Sequence, residues 1–176
     1  MFVRSFNHDI WQWPGCRSAD WFSMAQVDIP IERSFEVDDR DAAWALLSDA
    51  PDCLSHCPKL QTLTPLGGDS WRWEFEPMGA RGVSHQVRYA VTYHYDKDAG
   101  TIIWTPVEGE GNATVSGAFR LQPAGQRTRV ELTIDCLLEV PVPGLLTSFI
   151  GPFARKEFEW QVDQFMKNLE AAIQKR

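Results

Sequence analysis

His85 is the residue best suited by type to acid–base chemistry, because an imidazole gains or loses a proton near neutral pH. It shares the parity of the apolar positions in a predicted strand, and so does Tyr89. The Tyr89 hydroxyl is able to orient a carbonyl or phenol group of a ligand. His85 and Tyr89 are therefore the candidate catalytic residues. Both also fit a purely structural role, as a capped strand-end histidine and a core tyrosine, and we favour that interpretation.

Arg33 interrupts the apolar face of the first predicted strand. An unpaired guanidinium buried on such a face is very costly. Arg33 must therefore pair with a carboxylate, reach solvent past a bulge, or contact a polar group of a ligand. We favour pairing or a bulge and keep ligand contact as the alternative.

Aromatic side chains are abundant on the predicted apolar faces. The chain has eight Trp, ten Phe and three Tyr, 12% of its residues. Each ring buries roughly 150–250 Å², so this set suits either a packed core or the wall of a ligand pocket. The candidate ligand-binding residues are Arg33, Trp71, Trp73, Tyr89, Tyr93, Trp104, Phe119 and Phe158.

Cys53, His56 and Cys57 have the spacing of one helical face. Two thiolates and an imidazole could bind zinc if a fourth ligand came from elsewhere. No second cysteine pair completes such a site, so we favour reduced, buried cysteines. We predict no metal and no cofactor.

The charge balance bears on the partners and location of the protein. Lys plus Arg is 17 and Asp plus Glu is 24, which gives a net charge of −7. An acidic chain lacks the basic surface of a nucleic-acid-binding protein. No apolar run approaches the ~18 residues that span a bilayer, and residues 1–17 lack a signal-peptide core. We expect a cytoplasmic protein that binds no nucleic acid. Its oligomeric state, including a dimer, stays open.

Residues 1–26 differ from the rest of the chain, because Trp11, Trp13 and Trp21 follow neither helical nor strand periodicity. We predict an N-terminal extension over 1–26 and one domain over 27–176. Two interpretations of the extension are open: its tryptophans pack on the domain, or Met24 is the true start of the protein.

Alternating apolar and polar residues predict an antiparallel sheet with one apolar face. Short turns rich in glycine and proline separate its strands. Aspartates that can cap a helix precede two short helices, at 42–47 and around 52–57. The predicted strands are 27–37, 60–66, 70–76, 83–96, 101–107, 113–122 and 128–139.

A long amphipathic helix is predicted over 145–175, from an apolar stripe at spacings of three and four residues. Gly151 and Pro152 should kink this helix or divide it. It is large enough to cover the apolar face of the sheet. The sequence therefore predicts an α+β helix-grip fold: a curved seven-stranded antiparallel sheet around the long C-terminal helix, with two short helices after the first strand and an internal apolar cavity.

The element order and two stretches of sequence resemble the START-like superfamily, also called SRPBCC, whose members share the Bet v 1-like helix-grip fold. The stretches are VDDRDAAWALLSDAPDCL at 37–54, similar to the first helix of the family, and GEGNATVSGAFRLQPAGQRTRVELT at 109–133. The second is similar to polyketide cyclase/dehydrase members and to the START-like accessory subunit of carbon monoxide dehydrogenase. The superfamily mixes carriers, sensors and enzymes, so the resemblance implies the fold more firmly than the function.

Three functions are compatible with these observations. The leading hypothesis is binding or transport of a small hydrophobic ligand, such as a lipid, a quinone or a polyketide-like molecule, in the internal cavity. The first alternative is a cofactor-independent cyclase or aromatase that acts on a polyketide-like substrate. The second is an accessory or maturation protein that acts through a surface patch including Trp11 and Trp13. We favour a binding protein over an enzyme.

Overall fold

The computed structural model describes residues 22–80, 83–143 and 147–176. Within these residues the chain forms a main sheet, a small hairpin and three helices. The strands are β1 (Phe22–Val37), β2 (Leu60–Gly67), β3 (Ser70–Phe75), β4 (Met78–Ala80), β5 (Val83–His85), β6 (Arg88–Asp96), β7 (Thr101–Gly111), β8 (Ala113–Ala124) and β9 (Arg127–Pro143). The helices are α1 (Arg40–Leu47), α2 (Ala50–Ser55) and α3 (Thr147–Ile173).

The main sheet has seven strands in the order β1-β9-β8-β7-β6-β3-β2. All its neighbouring strands are antiparallel. Apolar side chains alternate with exposed ones along the strands, so one face of the sheet carries most of the core. The long helix α3 packs on this face through Ile150, Val162, Phe165 and Leu169, all of which are buried. The predicted α+β helix-grip architecture is confirmed.

Aspartate side chains cap both short helices. Asp39 Oδ1 accepts hydrogen bonds from the backbone N–H groups of Asp41 and Ala42, at 2.8 and 3.0 Å. Asp49 Oδ1 accepts one from Asp52 at 3.1 Å. Each bond satisfies an N–H group that has no partner within the first helical turn. The two helices therefore start close to the positions that the sequence predicts.

The single strand predicted over 83–96 is wrong, because the chain leaves the main sheet at Gln86 and Val87. Phe75 N–H donates to Val87 O, and Gln86 Nε2 donates to Phe75 O, both at 3.0 Å. Before these residues the chain forms β5, which pairs with β4 instead of β3. Residues 78 and 79, predicted as part of a turn, belong to this hairpin. It places Met78 directly opposite His85.

The long helix is not divided at Pro152, which lies inside α3. Two arginine contacts join α3 to β1: Arg33 Nε donates to Asp163 Oδ1 at 2.6 Å, and Arg155 Nη2 donates to Asp28 O at 2.7 Å. They fix the helix across the first strand of the sheet.

β1 begins at Phe22, before its predicted start. Trp11, Trp13 and Trp21 lie outside the described residues, and the division of the chain at residue 26 stays a prediction. Among the described helices, none combines the length and apolar character that crossing a bilayer requires.

Candidate functional site

Two adjoining cavities lie between the apolar face of the sheet and α3. Each has a volume of about 50 Å³. The first cavity is lined by Ile29, Phe75, Met78, Gly79, His85, Val87, Tyr89, Cys136, Leu138, Val140, Ile150, Phe153, Ala154, Glu157, Phe158 and Gln161. The second is lined by Leu47, Ala50, Cys53, Leu54, Cys57, Trp73, Phe75, Tyr89, Tyr93, Trp104, Val115, Phe119, Leu132, Ile134, Phe158, Gln161, Val162 and Phe165.

Four residues line both cavities and form the wall between them: Phe75, Tyr89, Phe158 and Gln161. An apolar cavity that binds benzene has a volume of about 150 Å³. Each cavity here is smaller, at about 50 Å³. A ring-sized ligand must therefore displace side chains of the shared wall and join the two cavities.

Stacked and tilted aromatic rings form much of the second cavity. The ring centroids of Trp73 and Tyr89 are 5.4 Å apart, and those of Trp104 and Phe119 are 5.5 Å apart. These separations are typical of favourable aromatic pairs. Burial raises the pKa of Tyr89 and of Tyr93 well above the ordinary value. Both hydroxyl groups therefore stay protonated and can donate a hydrogen bond to a ligand.

His85 brings an unpaired nitrogen to the first cavity. Its Nε2 atom is buried and has no hydrogen-bond partner among the described residues, as is true of Trp73 Nε1 in the second cavity. Buried polar atoms are nearly always paired, so such atoms are candidates for contact with a ligand or water. Burial also lowers the pKa of His85 below its ordinary value. The imidazole is therefore neutral at pH 7.

Gln161 is a polar residue of the cavities that sequence reasoning missed. Only 4% of it is exposed, and its Nε2 contacts Met78 Sδ at 3.9 Å. A thioether sulfur is a weak acceptor. The signal was present in the sequence, because Gln161 is three residues after Phe158 and four before Phe165, on the apolar stripe of α3.

The structure brings most of the predicted site residues together. His85 lines the first cavity, and Tyr89 and Phe158 line both. The second cavity is also lined by Trp73, Tyr93, Trp104 and Phe119.

Arg33 and Trp71 do not line either cavity. The Arg33 guanidinium pairs with Asp163 and also donates from Nη1 to Glu32 O at 2.9 Å. It is half-buried, so it interrupts the apolar face without an unpaired buried charge. Trp71 is half-buried and packs against the core. Neither residue belongs to the candidate ligand site.

Cys53 and Cys57 line the second cavity as thiols. Burial raises the pKa of Cys57 to about 12 and that of Cys53 further. His56 lies at the end of α2, where its backbone oxygen accepts a hydrogen bond from Asn168 Nδ2 at 2.9 Å. In the described part of the chain, no three His, Cys, Asp or Glu side chains are grouped closely enough to bind a metal ion.

An open groove on the surface adjoins the first cavity. It has a volume of about 390 Å³ and shares Phe153 and Glu157 with that cavity. Glu157 forms an ion pair with Lys59, whose ammonium lies 4.9 Å from the centroid of the Trp160 ring. Lys59 adopts a φ of 60°, which is uncommon for a residue other than glycine. The groove therefore offers a route from solvent to the cavity.

We expect the stability of the protein to depend on the protonation of His85. Because burial lowers the pKa of this imidazole, the unfolded chain binds a proton at pH values where the folded chain does not. The stability associated with neutral His85 is complete above the unfolded-state pKa of about 6.5. It should be lost progressively as the pH falls from there to the folded-state pKa.

Two measurements check this prediction. An NMR titration of the His85 imidazole should give a midpoint below 6.5, and urea unfolding at a series of pH values should show the loss of stability. The H85Q variant should lose that component of the pH dependence. A midpoint at or above the ordinary value would contradict the prediction.

Sequence comparison identifies one family. Residues 31–174 match the model of the family described as polyketide cyclase / dehydrase and lipid transport. No curated protein sequence is significantly similar to the chain.

Solved structures with the same fold include three bacterial proteins. A protein from Thermus thermophilus is 18% identical with a TM-score of 0.60, and the match covers 83% of this chain and 96% of that one. The Zhui aromatase/cyclase from a Streptomyces species is 17% identical with a TM-score of 0.55, over 84% and 92%. A START superfamily protein from Mycobacterium smegmatis is 16% identical with a TM-score of 0.59, over 83% and 97%.

At these identities the structural likeness shows the fold alone. The family match is independent of it and extends from β1 to the end of α3. The two findings agree with each other and with the helix-grip architecture. The chain therefore belongs to the polyketide cyclase/dehydrase and lipid transport family of the START-like superfamily.

Proposed function

We propose that the protein binds a small hydrophobic molecule in the two cavities between the sheet and α3. The observation that carries this proposal is the shared wall of Phe75, Tyr89, Phe158 and Gln161, whose side chains line both cavities. Rotation of these side chains can join the two spaces into one. Burial of the ligand's apolar body supplies the affinity, at about 25 cal/mol per Å² removed from water.

The family description supports the same proposal, since it includes lipid transport. A lipid, a quinone and a polyketide-like molecule are each compatible with an apolar, aromatic lining. The accessory function rests on Trp11 and Trp13, outside the described residues, and receives no support from the cavities.

Native mass spectrometry of protein purified from its own cells tests the proposal. We expect a population of the folded protein to carry a non-covalent adduct that is absent from the denatured protein. Extraction with organic solvent should then release a molecule that partitions into the organic phase. A protein that carries no adduct and takes up no apolar probe after purification would overturn the proposal.

A second candidate is a cofactor-independent cyclase or aromatase, which His85 favours. A neutral imidazole with an unpaired Nε2 can accept a proton from carbon next to a carbonyl group, and the protonated Tyr89 hydroxyl can donate to the carbonyl oxygen. Incubation with a poly-β-keto thioester distinguishes the two functions. An enzyme releases a cyclised product that has lost water, whereas a carrier returns the compound with its mass unchanged.

A further inference from the structure

Two polar side chains meet at one end of the first cavity. Met78 and His85 are directly opposite in the β4–β5 hairpin, so their Cβ atoms are about 4.5–5.5 Å apart. The amide of Gln161 reaches from α3 to Met78, at 3.9 Å from its sulfur. The sulfur of Met78 therefore brings Gln161 and His85 within one side-chain length of each other.

Neither polar group is satisfied by the protein. His85 Nε2 has no partner among the described residues, and the one contact of Gln161 Nε2 there is the Met78 sulfur. Gln161 is only 4% exposed, so water cannot easily replace the missing partners. Leaving a buried donor without an acceptor costs about 1–3 kcal/mol. A ligand atom that accepts from these groups would recover that cost.

The charges around the cavities exclude one class of ligand. Among the described lining residues Glu157 is the only ionised one, and none is cationic. Glu157 is already paired with Lys59. A ligand carboxylate would therefore lose its hydration without gaining a counter-charge, which is strongly unfavourable. The ligand must be uncharged where it contacts the cavity.

We propose that Gln161 and His85 form a polar subsite that selects an uncharged aromatic ligand with a carbonyl oxygen. This inference rests on the proposed function and adds the ligand class and the specificity-determining residue. The carbonyl oxygen has two lone pairs and accepts from the Gln161 amide and from the His85 imidazole, in the tautomer that carries its proton on Nε2. The ring of the ligand lies against Phe75, Tyr89 and Phe158, in the space created when the two cavities join.

Four monocyclic probes of similar size test this subsite: ethylbenzene, acetophenone, benzoate and 1-phenylethylamine. Their affinities for the full chain are measured by isothermal titration calorimetry. Acetophenone should bind about tenfold more tightly than ethylbenzene, because it satisfies buried donors that the hydrocarbon leaves unpaired. Benzoate should bind at least tenfold more weakly than acetophenone. In Q161L, acetophenone should bind no more tightly than ethylbenzene, whose affinity should be unchanged.

Q164L is the matched control, because Gln164 lies on the same helix and lines neither cavity. It should keep the preference for acetophenone. If no probe binds, the proposed function fails and this inference fails with it. If ethylbenzene binds and acetophenone binds no better, only the subsite is overturned. Preference for benzoate or the amine, or an unchanged preference in Q161L, would also overturn it, whether or not the variant is fully stable, since the ranking is first established in the wild type.

Discussion

The Gly117→Ala protein should be less stable than the wild type by roughly 2–3 kcal/mol, the effect of forcing a methyl group into a closely packed core. A Cβ atom at Gly117 would lie 2.3 Å from Thr133 O and 2.4 Å from Trp104 Cζ2. The carbonyl belongs to the backbone of β9 and cannot move without disturbing the sheet. Trp104 lies directly opposite Gly117 and lines the second cavity. The substitution therefore disturbs the fold and the candidate site together.

Urea unfolding monitored by circular dichroism measures this loss. G151A is the matched control, because a Cβ atom at Gly151 meets nothing within 4 Å and the residue lies in α3. Alanine is the better helix former by about 1 kcal/mol, so this variant should be as stable as the wild type or more stable. Unfolding of G117A at the same urea concentration as the wild type would show that the sheet accommodates the methyl group.

The Ala154→Phe protein should bind apolar ligands at least tenfold more weakly than the wild type. Ala154 lies on α3 and lines the first cavity, whose volume is about 50 Å³. A benzene ring occupies a cavity of about 150 Å³, so the new side chain fills the first cavity and presses on the shared wall. Because Ala154 is only half-buried, part of the ring can extend toward solvent, and we expect the fold to be retained.

Titration with ethylbenzene and native mass spectrometry of the purified variant both check this expectation. A171F is the matched control: Ala171 is on the same helix but exposed, and it lines neither cavity. It should bind as the wild type does, and circular dichroism should show both variants to be folded. An A154F protein that is folded and binds ethylbenzene normally would place the ligand outside the first cavity.

The fold could be predicted from the sequence because its elements carry clear periodicities. Alternation along Val130, Leu132 and Ile134 predicts β9, and an apolar stripe at helical spacing predicts α3. Alternation also continues through 83–96 and predicts a single strand there. The structure divides this segment because β3 ends at Phe75, which bonds to Val87, and leaves no partner in the main sheet for the residues before Val87. Such a division depends on neighbours in space, which alternation along one segment does not reveal.

The candidate site could be predicted only in part, for a related reason. The sheet face of Trp73, Tyr89 and Tyr93 follows from strand parity, and these residues line the cavities. The partner of Arg33 could not be foreseen, because Asp163 is 130 residues away in sequence. Polar residues on an amphipathic helix are expected on its exposed side, which hides a buried glutamine on α3 from sequence reasoning. The size of the cavities depends on how the rings pack, which no linear pattern specifies.

The ion pair between Lys59 and Glu157 also bears on how fast a ligand exchanges. Glu157 belongs to both the surface groove and the first cavity, so a ligand on this route must pass it. A partly exposed pair of this kind contributes only about 0–1 kcal/mol, and contact with the Trp160 ring adds a similar amount. Such a barrier opens often, and dissolved salt weakens it further. Ionic strength should therefore shorten the residence time of a neutral ligand while leaving its equilibrium affinity nearly constant.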